Sequence, residues 1–325
     1  MRRTAASVAR VVASRVLEAL LGALALAVVL ASLVFFALRL LPGDPAQLVL
    51  GDEASAAELA RVRVTLGLDA PLAVQYARFL RGLSTLDLGD SFRQPGTRAM
   101  ARVLEAVVPT AQLATIAVGL GAVAGLGAAL AASGPWLGRG RGWIERGLVV
   151  VAAAPLVAFA PLLTWALAVR ARVVPLPGDP DSSGAGLLFA GALLAIPLAA
   201  HLGRIAHAAL ADVARAQFLV AARAKGASPL RVWLLHALPA VVGPIITVLA
   251  TQLGALLGGA VVLERMFERR GLGTLILEAY ATRDLPVLEG AVVVTGLLFV
   301  LAQTAGTALH AAVDPRARAQ PGARS

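Results

Sequence analysis

The chain has 325 residues, 58% of them hydrophobic, a formal net charge of +10 and no cysteine. With a mean hydropathy of +0.80, this composition belongs to an integral membrane protein, and the positive charge reads as loop arginines rather than a nucleic-acid surface, so no nucleic-acid partner is expected. The lack of cysteine excludes disulfides, thiolate nucleophiles and Cys-ligated metals, and leaves the redox compartment open.

A helix needs about 20 apolar residues to cross a hydrocarbon core. Six stretches are read as spans: about Ala19 to Leu38, Val107 to Ala132, Leu148 to Val169, Leu187 to Gly203, Leu238 to Leu263 and Gly290 to Ala311. The fourth is the shortest and contains Pro197. The first follows Arg2, Arg3, Arg10 and Arg15 as a signal peptide would. Its apolar run is too long for a signal h-region and lacks a small-x-small cleavage site, so a retained first transmembrane helix at 19–40 is expected.

Between the first two spans lies a long segment, 41–106. "LPGDP" at Leu41 to Pro45 is turn chemistry that ends the first helix, because proline cannot continue it. Ser55 and Glu58 have capping-box spacing ahead of a helix running to Leu66, and a second helix is predicted from about Pro71 to Leu83. The expectation is a small helical cap on the outer mouth. Loop arginines set the orientation. A cytoplasmic N-terminus places Arg139, Arg141 and Arg146 inside, with Arg204, Arg215, Arg223, Lys225 and Arg231, and then Arg316, Arg318 and Arg324. The external loops dilute their arginines with Glu264, Glu268, Glu278, Asp284 and Glu289. Both termini are therefore expected in the cytoplasm.

The six proposed cores contain no Asp, Glu, Lys or Arg, so proton or ion coupling has no obvious intramembrane carrier. The single lysine, Lys225, lies between Ala224 and Gly226 rather than in a phosphate-binding loop, so no ATP site of that type is present in this chain. His201, His207, His236 and His310 are scattered rather than spaced as metal ligands. No serine stands beside a recognisable base and third partner, so the chain is not expected to be an enzyme or to carry a cofactor. Gly121 and Gly125, and Gly254 and Gly258, have the small-xxx-small spacing that lets helices approach closely, within the chain or against a second membrane subunit. Thr251 and Gln252 beside the second pair are polar groups placed to line a pathway.

One stretch interrupts the apolar pattern on the cytoplasmic side. "VAARAKGASPLRVWLLHALP", Val220 to Pro239, reads as a helix from about Leu210 through Ala224, a break bracketed by Gly226 and Pro229, and a second helix from near Leu230. Physical pattern alone leaves two uses open: a surface helix resting on lipid headgroups, or a docking element for a partner.

Its spacing resembles the EAA loop of binding-protein-dependent ABC importers, with Ala221, Ala222, Gly226, Leu238 and Pro239 in register, Val220 at the Glu position and His236 at the Ile position. "ARAKG" at Ala222 to Gly226 and "HAL" at His236 to Leu238 are similar to the dipeptide, oligopeptide and nickel permease branch. So are "LLPGDP" at Leu40 to Pro45, "LGLD" with Pro71, "DLG" with Ser91, Pro109 with Thr110, "GGAVVLE" at Gly258 to Glu264, "GLG" at Gly271 to Gly273, "RD" with Pro286 and Val287, and "DPR" at Asp314 to Arg316. Arg270 and His207 depart from residues common in that branch.

The resemblance implies an all-α, polytopic importer half-channel in the bacterial inner membrane. Its partners would be a second permease, two cytoplasmic ATPase subunits that bind the ATP, and an external solute-binding protein. The implied map is a cytoplasmic N-terminus at 1–18, the first span at 19–40, the external segment at 41–106, a permease core at 107–311 with a coupling loop at about 204–237, and a cytoplasmic tail at 312–325. Ala221, Ala222, Arg223, Ala224, Lys225, Gly226, Ala227, Ser228 and Pro229 would form the element seated on an ATPase. Peptide is the expected solute. Nickel, an oligosaccharide or another solute moved by the same machinery is the nearest alternative, and a non-transporting membrane anchor is a different one.

Overall fold

The computed structural model describes residues 21–22, 24–40, 44–50, 54–178 and 183–313. They are organised almost entirely as helices: α1 (Leu24–Leu40), α2 (Pro45–Leu50), α3 (Ala56–Thr65), α4 (Leu72–Thr85), α5 (Ala99–Ser133), α6 (Arg141–Ala153), α7 (Leu156–Thr164), α8 (Ser183–Val213), α9 (Gln217–Ala224), α10 (Pro229–Val232), α11 (Leu238–Ala240), α12 (Val242–Met266), α13 (Leu272–Ala281) and α14 (Leu285–Val313). An isolated antiparallel bridge joins Asp90 to Arg98.

Four of these, α5, α8, α12 and α14, are long and apolar enough to cross a membrane, and α1 is a shorter apolar helix. Part of the first expected span, with the expected cytoplasmic N-terminus and tail, lies outside the described residues. The third expected span departs from a straight helix. Residues Arg141–Ala153 and Leu156–Arg170 meet at a bend of 106°. The cause is Pro155, which has no N–H to donate and holds Ala154 in an extended conformation, ψ 125°. After Thr164 the chain continues as a π-turn, Trp165–Arg170. The fourth expected span shows the opposite behaviour. Pro197 sits inside a continuous α8 that runs ten residues beyond the predicted end at Gly203, to Val213.

The chain divides into two compact units. The first comprises residues up to Thr110 together with Arg269–Leu301. Here the sequence signals for the segment between the first spans are realised locally. Ser55 caps α3: its Oγ accepts from Glu58 N at 3.3 Å while Glu58 Oε2 accepts from Ser55 N at 2.9 Å. Pro71 opens α4. Asp44 accepts from Ala46 N at the start of α2 and pairs with Arg63 of α3. Phe35, Tyr76 and Phe79 pack ring to ring at 5.1–5.3 Å, tying α4 to α1. Arg39 lies 3.3 Å from the Phe35 ring centroid and pairs with Glu289 of α14 at 2.5 Å. A second core in this unit joins Met100 and Val103 of α5 to Leu272 and Leu275 of α13 and to Val287 and Leu288 of α14.

The second unit comprises Ala111–Glu268 and the residues from Ala302 onward. Its larger core packs Leu113 and Ala117 of α5, Leu193, Leu194 and Leu198 of α8, and Leu256 and Leu263 of α12. Gly121 and Gly125 make this packing possible. A Cβ on Gly125 would stand 2.7 Å from the Ala199 carbonyl oxygen, and one on Gly121 would stand 2.7 Å from Leu198 Cδ2. The first glycine pair thus serves close approach of α5 to α8 within the chain. On α12 the close contact falls one residue later than the spacing suggests. Gly259 meets Leu194 and Leu156, whereas a Cβ on Gly258 would meet nothing within 4 Å.

Candidate functional site: an interrupted helical segment on a three-helix core

The segment that follows α8 is built from a break, a helix, a turn and a second helix. Helix α8 ends at Val213, so the residues from Leu210 to Val213, expected in the surface helix, complete α8 instead. After an extended Ala216, α9 runs for eight residues, Gln217–Ala224. Leu219 and Ala222 face inward and are buried, while Val220, Ala221, Arg223, Ala224 and Lys225 are exposed. Gly226 ends α9 with φ +82°, a left-handed conformation that a side chain disfavours. The reversal closes with Gly226 N donating to Arg223 O at 3.0 Å and Ala227 N to Ala222 O at 3.2 Å. Two residues on, Ser228 caps α10 through its Oγ, and Pro229 occupies the first turn. A π-turn, Trp233–Ala237, leads through α11 into α12.

The inner face of this segment is one continuous apolar contact. Leu219, Ala222, Val232, Trp233 and Ala237 are buried in a cluster with Ala129 of α5, Leu202, Ala206 and Leu210 of α8, and Ile245 and Val248 of α12. Burial of Trp233 alone removes about 150–250 Å² from solvent. The outer face is cationic. Arg215, Arg223, Lys225 and Arg231 are exposed and form no ion pair among the described residues. The arrangement is therefore a positively charged knob whose apolar back is packed against three long helices.

Thr251, Gln252, Gly254 and Gly258 lie elsewhere, along α12. Thr251 and Gly258 are exposed and fall on one helical face with Gly254. The Thr251 hydroxyl donates to Val248 O at 3.0 Å. The structure does not bring these four residues together with the 221–229 turn in one site.

Three polar constellations escape sequence inspection. Ser91 Oγ donates to Asp284 Oδ2 at 2.5 Å, Phe92 N donates to Asp284 Oδ1 at 3.0 Å, and Arg102 stands 3.5 Å from the same carboxylate. Thr110 Oγ1 accepts from Leu272 N at 2.8 Å. Ser133 Oγ lies 2.8 Å from His207 Nδ1, and His207 Nε2 lies 3.3 Å from Glu145 Oε1. This last set corrects the expectation that no serine stands beside a base and a third partner. With Nε2–H given to the carboxylate, Nδ1 accepts from the Ser133 hydroxyl. The neighbouring Gly134 N–H is committed to Leu130 O at 2.9 Å, so it is not available as an oxyanion donor at Ser133. The set ties α5, α6 and α8 together rather than forming an acyl-transfer site. His207, which departs from the common residue of the resembled branch, is thereby given a structural place.

Residues 117–319 match the family model for the binding-protein-dependent transport system inner membrane component, and residues 12–98 match the model for the N-terminal part of such membrane components. The chain belongs to this family of ABC transporter permeases. The glutathione transport system permease protein GsiC of Salmonella paratyphi A (strain ATCC 9150 / SARB42) is 34% identical over 310 residues, covering 93% of this chain and 98% of that protein. A peptide transport system permease protein of Brucella abortus (strain 2308) is 32% identical over 318 residues with the same coverage, 93% and 98%. Among solved structures, an inward-facing form of the MetNI methionine ABC transporter matches with a TM-score of 0.56 at 18% identity, covering 66% of this chain and 97% of that one. This permease is accordingly a multi-pass inner-membrane channel component and works with ATPase and binding-protein partners.

Proposed function

We propose that this permease forms one half of the translocation pathway of a peptide importer, beside a second permease subunit, and that two ATPase subunits drive it through the 221–229 turn. The carrying observation is the combination of an unpaired cationic outer face with an apolar inner face packed on α5, α8 and α12. ATP-driven closure of the ATPase pair displaces the knob, and the helices behind it move as a body to switch access between the two sides. Arg223 and Lys225 meet acidic groups of the ATPase, and Gly226 holds the turn that presents them. Ala221, Ala222, Ala224, Ala227, Ser228 and Pro229 supply the surface and backbone of the docking element.

The topology in this reading has both termini in the cytoplasm, the arginines of the 133–147 and 204–237 loops inside and the 41–106 segment outside. The face of α12 with Thr251, Gly254 and Gly258, together with the adjacent Gln252, lines the pathway or meets the second permease, consistent with the open space at Gly258. Peptide as solute draws support from the peptide-system and glutathione-system relatives, glutathione being itself a peptide. The test is reconstitution of the permease with its co-purifying ATPase, second permease and binding protein in proteoliposomes. ATP-dependent uptake of short peptides is the expected result. Uptake of nickel or an oligosaccharide in place of peptide would reassign the solute, and retention of the membrane complex without any uptake would reassign the chain as an anchor.

A further inference from the structure

A groove of about 600 Å³ runs between α5, α6 and α8, in the second unit. Its walls are apolar, with Ala124 and Ala128 on α5, Ile144, Gly147 and Leu148 on α6, and Ala199 on α8. Small residues on α5 and α8, drawn together at Gly125 and Ala199, form the floor. Gly147 keeps one wall open, because a Cβ there would meet nothing within 4 Å. A trough of this kind at membrane depth takes an extended hydrocarbon chain without disturbing any packed contact.

One end of the groove is charged. Leu148 packs beside Gly203, and the Ser133, His207 and Glu145 set stands at the same end, one to two turns beyond the lining residues of α5 and α8 and next to Ile144 on α6. The cations there are placed for an anion. Arg141 Nε donates to Ala132 O at 2.6 Å, which pins the side chain at the end of α5, and its two terminal nitrogens have no protein acceptor among the described residues. Arg204 follows Ile196 and Ala200 at four-residue spacing on α8, one turn beyond the last groove-lining residue; it is exposed and unpaired among the described residues. Trp143, 74% exposed, stacks with Arg146 at 5.5 Å on the outer side of α6, the amphipathic pairing that anchors a helix at the level of headgroups. The Glu145 carboxylate at this end is engaged by His207.

We propose that this groove binds one acyl chain of an anionic phospholipid whose phosphate is held by Arg141 and Arg204. An apolar trough ending in two uncommitted arginines matches the two chemistries of one phospholipid molecule. A free phosphate would leave the trough empty, and an apolar helix of a partner would leave the arginines without a counter-ion. Assignment to the cytoplasmic leaflet rests on the topology proposed above, but binding itself does not.

The test is native mass spectrometry of the full chain in detergent, supplied in turn with palmitoyl-oleoyl phosphatidylglycerol and phosphatidylcholine. One phosphatidylglycerol retained per chain, in preference to phosphatidylcholine, is expected. Arg204→Gln and Arg141→Gln each reduce that retention roughly fivefold, the factor one arginine contributes toward anionic lipid. Gly147→Leu, which fills the trough from its open wall, abolishes retention of both lipids, whereas Val150→Leu on the outer face of α6 does not. Equal retention of the two lipids, or retention indifferent to Arg204→Gln and Gly147→Leu, overturns the proposal. So does loss of a co-purifying permease from Gly147→Leu with lipid retention intact, which would make the groove a subunit interface. Transport failure for other reasons leaves these readouts unmoved.

Discussion

The hydroxyl of Ser91 and the carboxylate of Asp284 are joined by a 2.5 Å hydrogen bond across a sequence separation of 193 residues. Asp284 is only 1% exposed, and Phe92 N and Arg102 complete its surroundings. Removing the carboxylate takes away the acceptor of the Ser91 hydroxyl and of the Phe92 N–H and leaves a half-buried arginine without its counter-charge. Asp284→Ala therefore destabilises the first unit by about 2–4 kcal/mol, and Ser91→Ala by ~1 kcal/mol. Thermal unfolding in detergent reads both. The double variant falls well short of the sum of the two losses, because the residues share one interaction.

The two glycine pairs separate experimentally. At Gly125 an added methyl collides with the Ala199 carbonyl oxygen at 2.7 Å, so Gly125→Ala costs about 1–3 kcal/mol through forced separation of α5 and α8. At Gly258 the space is open, and Gly258→Ala leaves the melting temperature of the isolated chain within the ~0.5 kcal/mol range of neutral substitutions. A loss of peptide uptake by Gly258→Ala despite normal folding would locate its open face on the pathway or at the second permease.

Gly226 tests coupling apart from folding. Its φ of +82° makes Gly226→Ala cost roughly 1–2 kcal/mol locally, in an exposed turn outside the buried cluster. The fold persists, and peptide uptake drops severalfold because the turn that presents Arg223 and Lys225 is displaced. Trp233→Ala, by contrast, opens a cavity in the cluster beneath and costs about 3–5 kcal/mol. Parallel measurements of melting and uptake distinguish the two lesions.

The outer segment carries an acid-sensitive contact. The hydrogen bond from Arg98, with a further one from Gly89 N, holds the Asp87 carboxyl below its usual value of 3.8. Because the native value lies below the unfolded one, the stabilisation is fully present above pH 3.8 and is lost as pH falls from there through the lowered native value. Asp87→Asn is therefore less stable than the parent at neutral pH, and the difference closes as the medium is acidified below the ordinary aspartate range. Melting curves across that range check the sign.

Local signals in the sequence translate directly into structure where the chemistry is short-range. Ser55 and Glu58 make their capping box, Pro71 opens its helix, and Gly226 and Pro229 bracket the turn. The bend at Pro155 is different, because a proline within an unbroken apolar run is compatible with either a kink or a continuous span, as Pro197 in α8 demonstrates. Helix packing decides which. The pairs Arg39 with Glu289, Ser91 with Asp284 and Ser133 with His207 join residues 250, 193 and 74 positions apart, and no periodicity or spacing encodes such partners. For Ser91 and Asp284 the hint was present in another form. Both lie in short segments that resemble the permease branch, and the structure joins them through one hydrogen bond. The groove was invisible for a related reason, since its lining alternates between three helices.

The chain contains no cysteine, so Lys225→Cys introduces a unique thiol at the tip of the proposed docking knob. The decisive measurement is labelling of this variant, in the assembled transporter, with a membrane-impermeant thiol reagent and a thiol-to-amine cross-linker. The account predicts no labelling in intact cells, labelling in inverted membrane vesicles, and a cross-linked product with an ATPase subunit. Labelling from the outside of intact cells, or accessible inside-out labelling with no ATPase adduct, contradicts it.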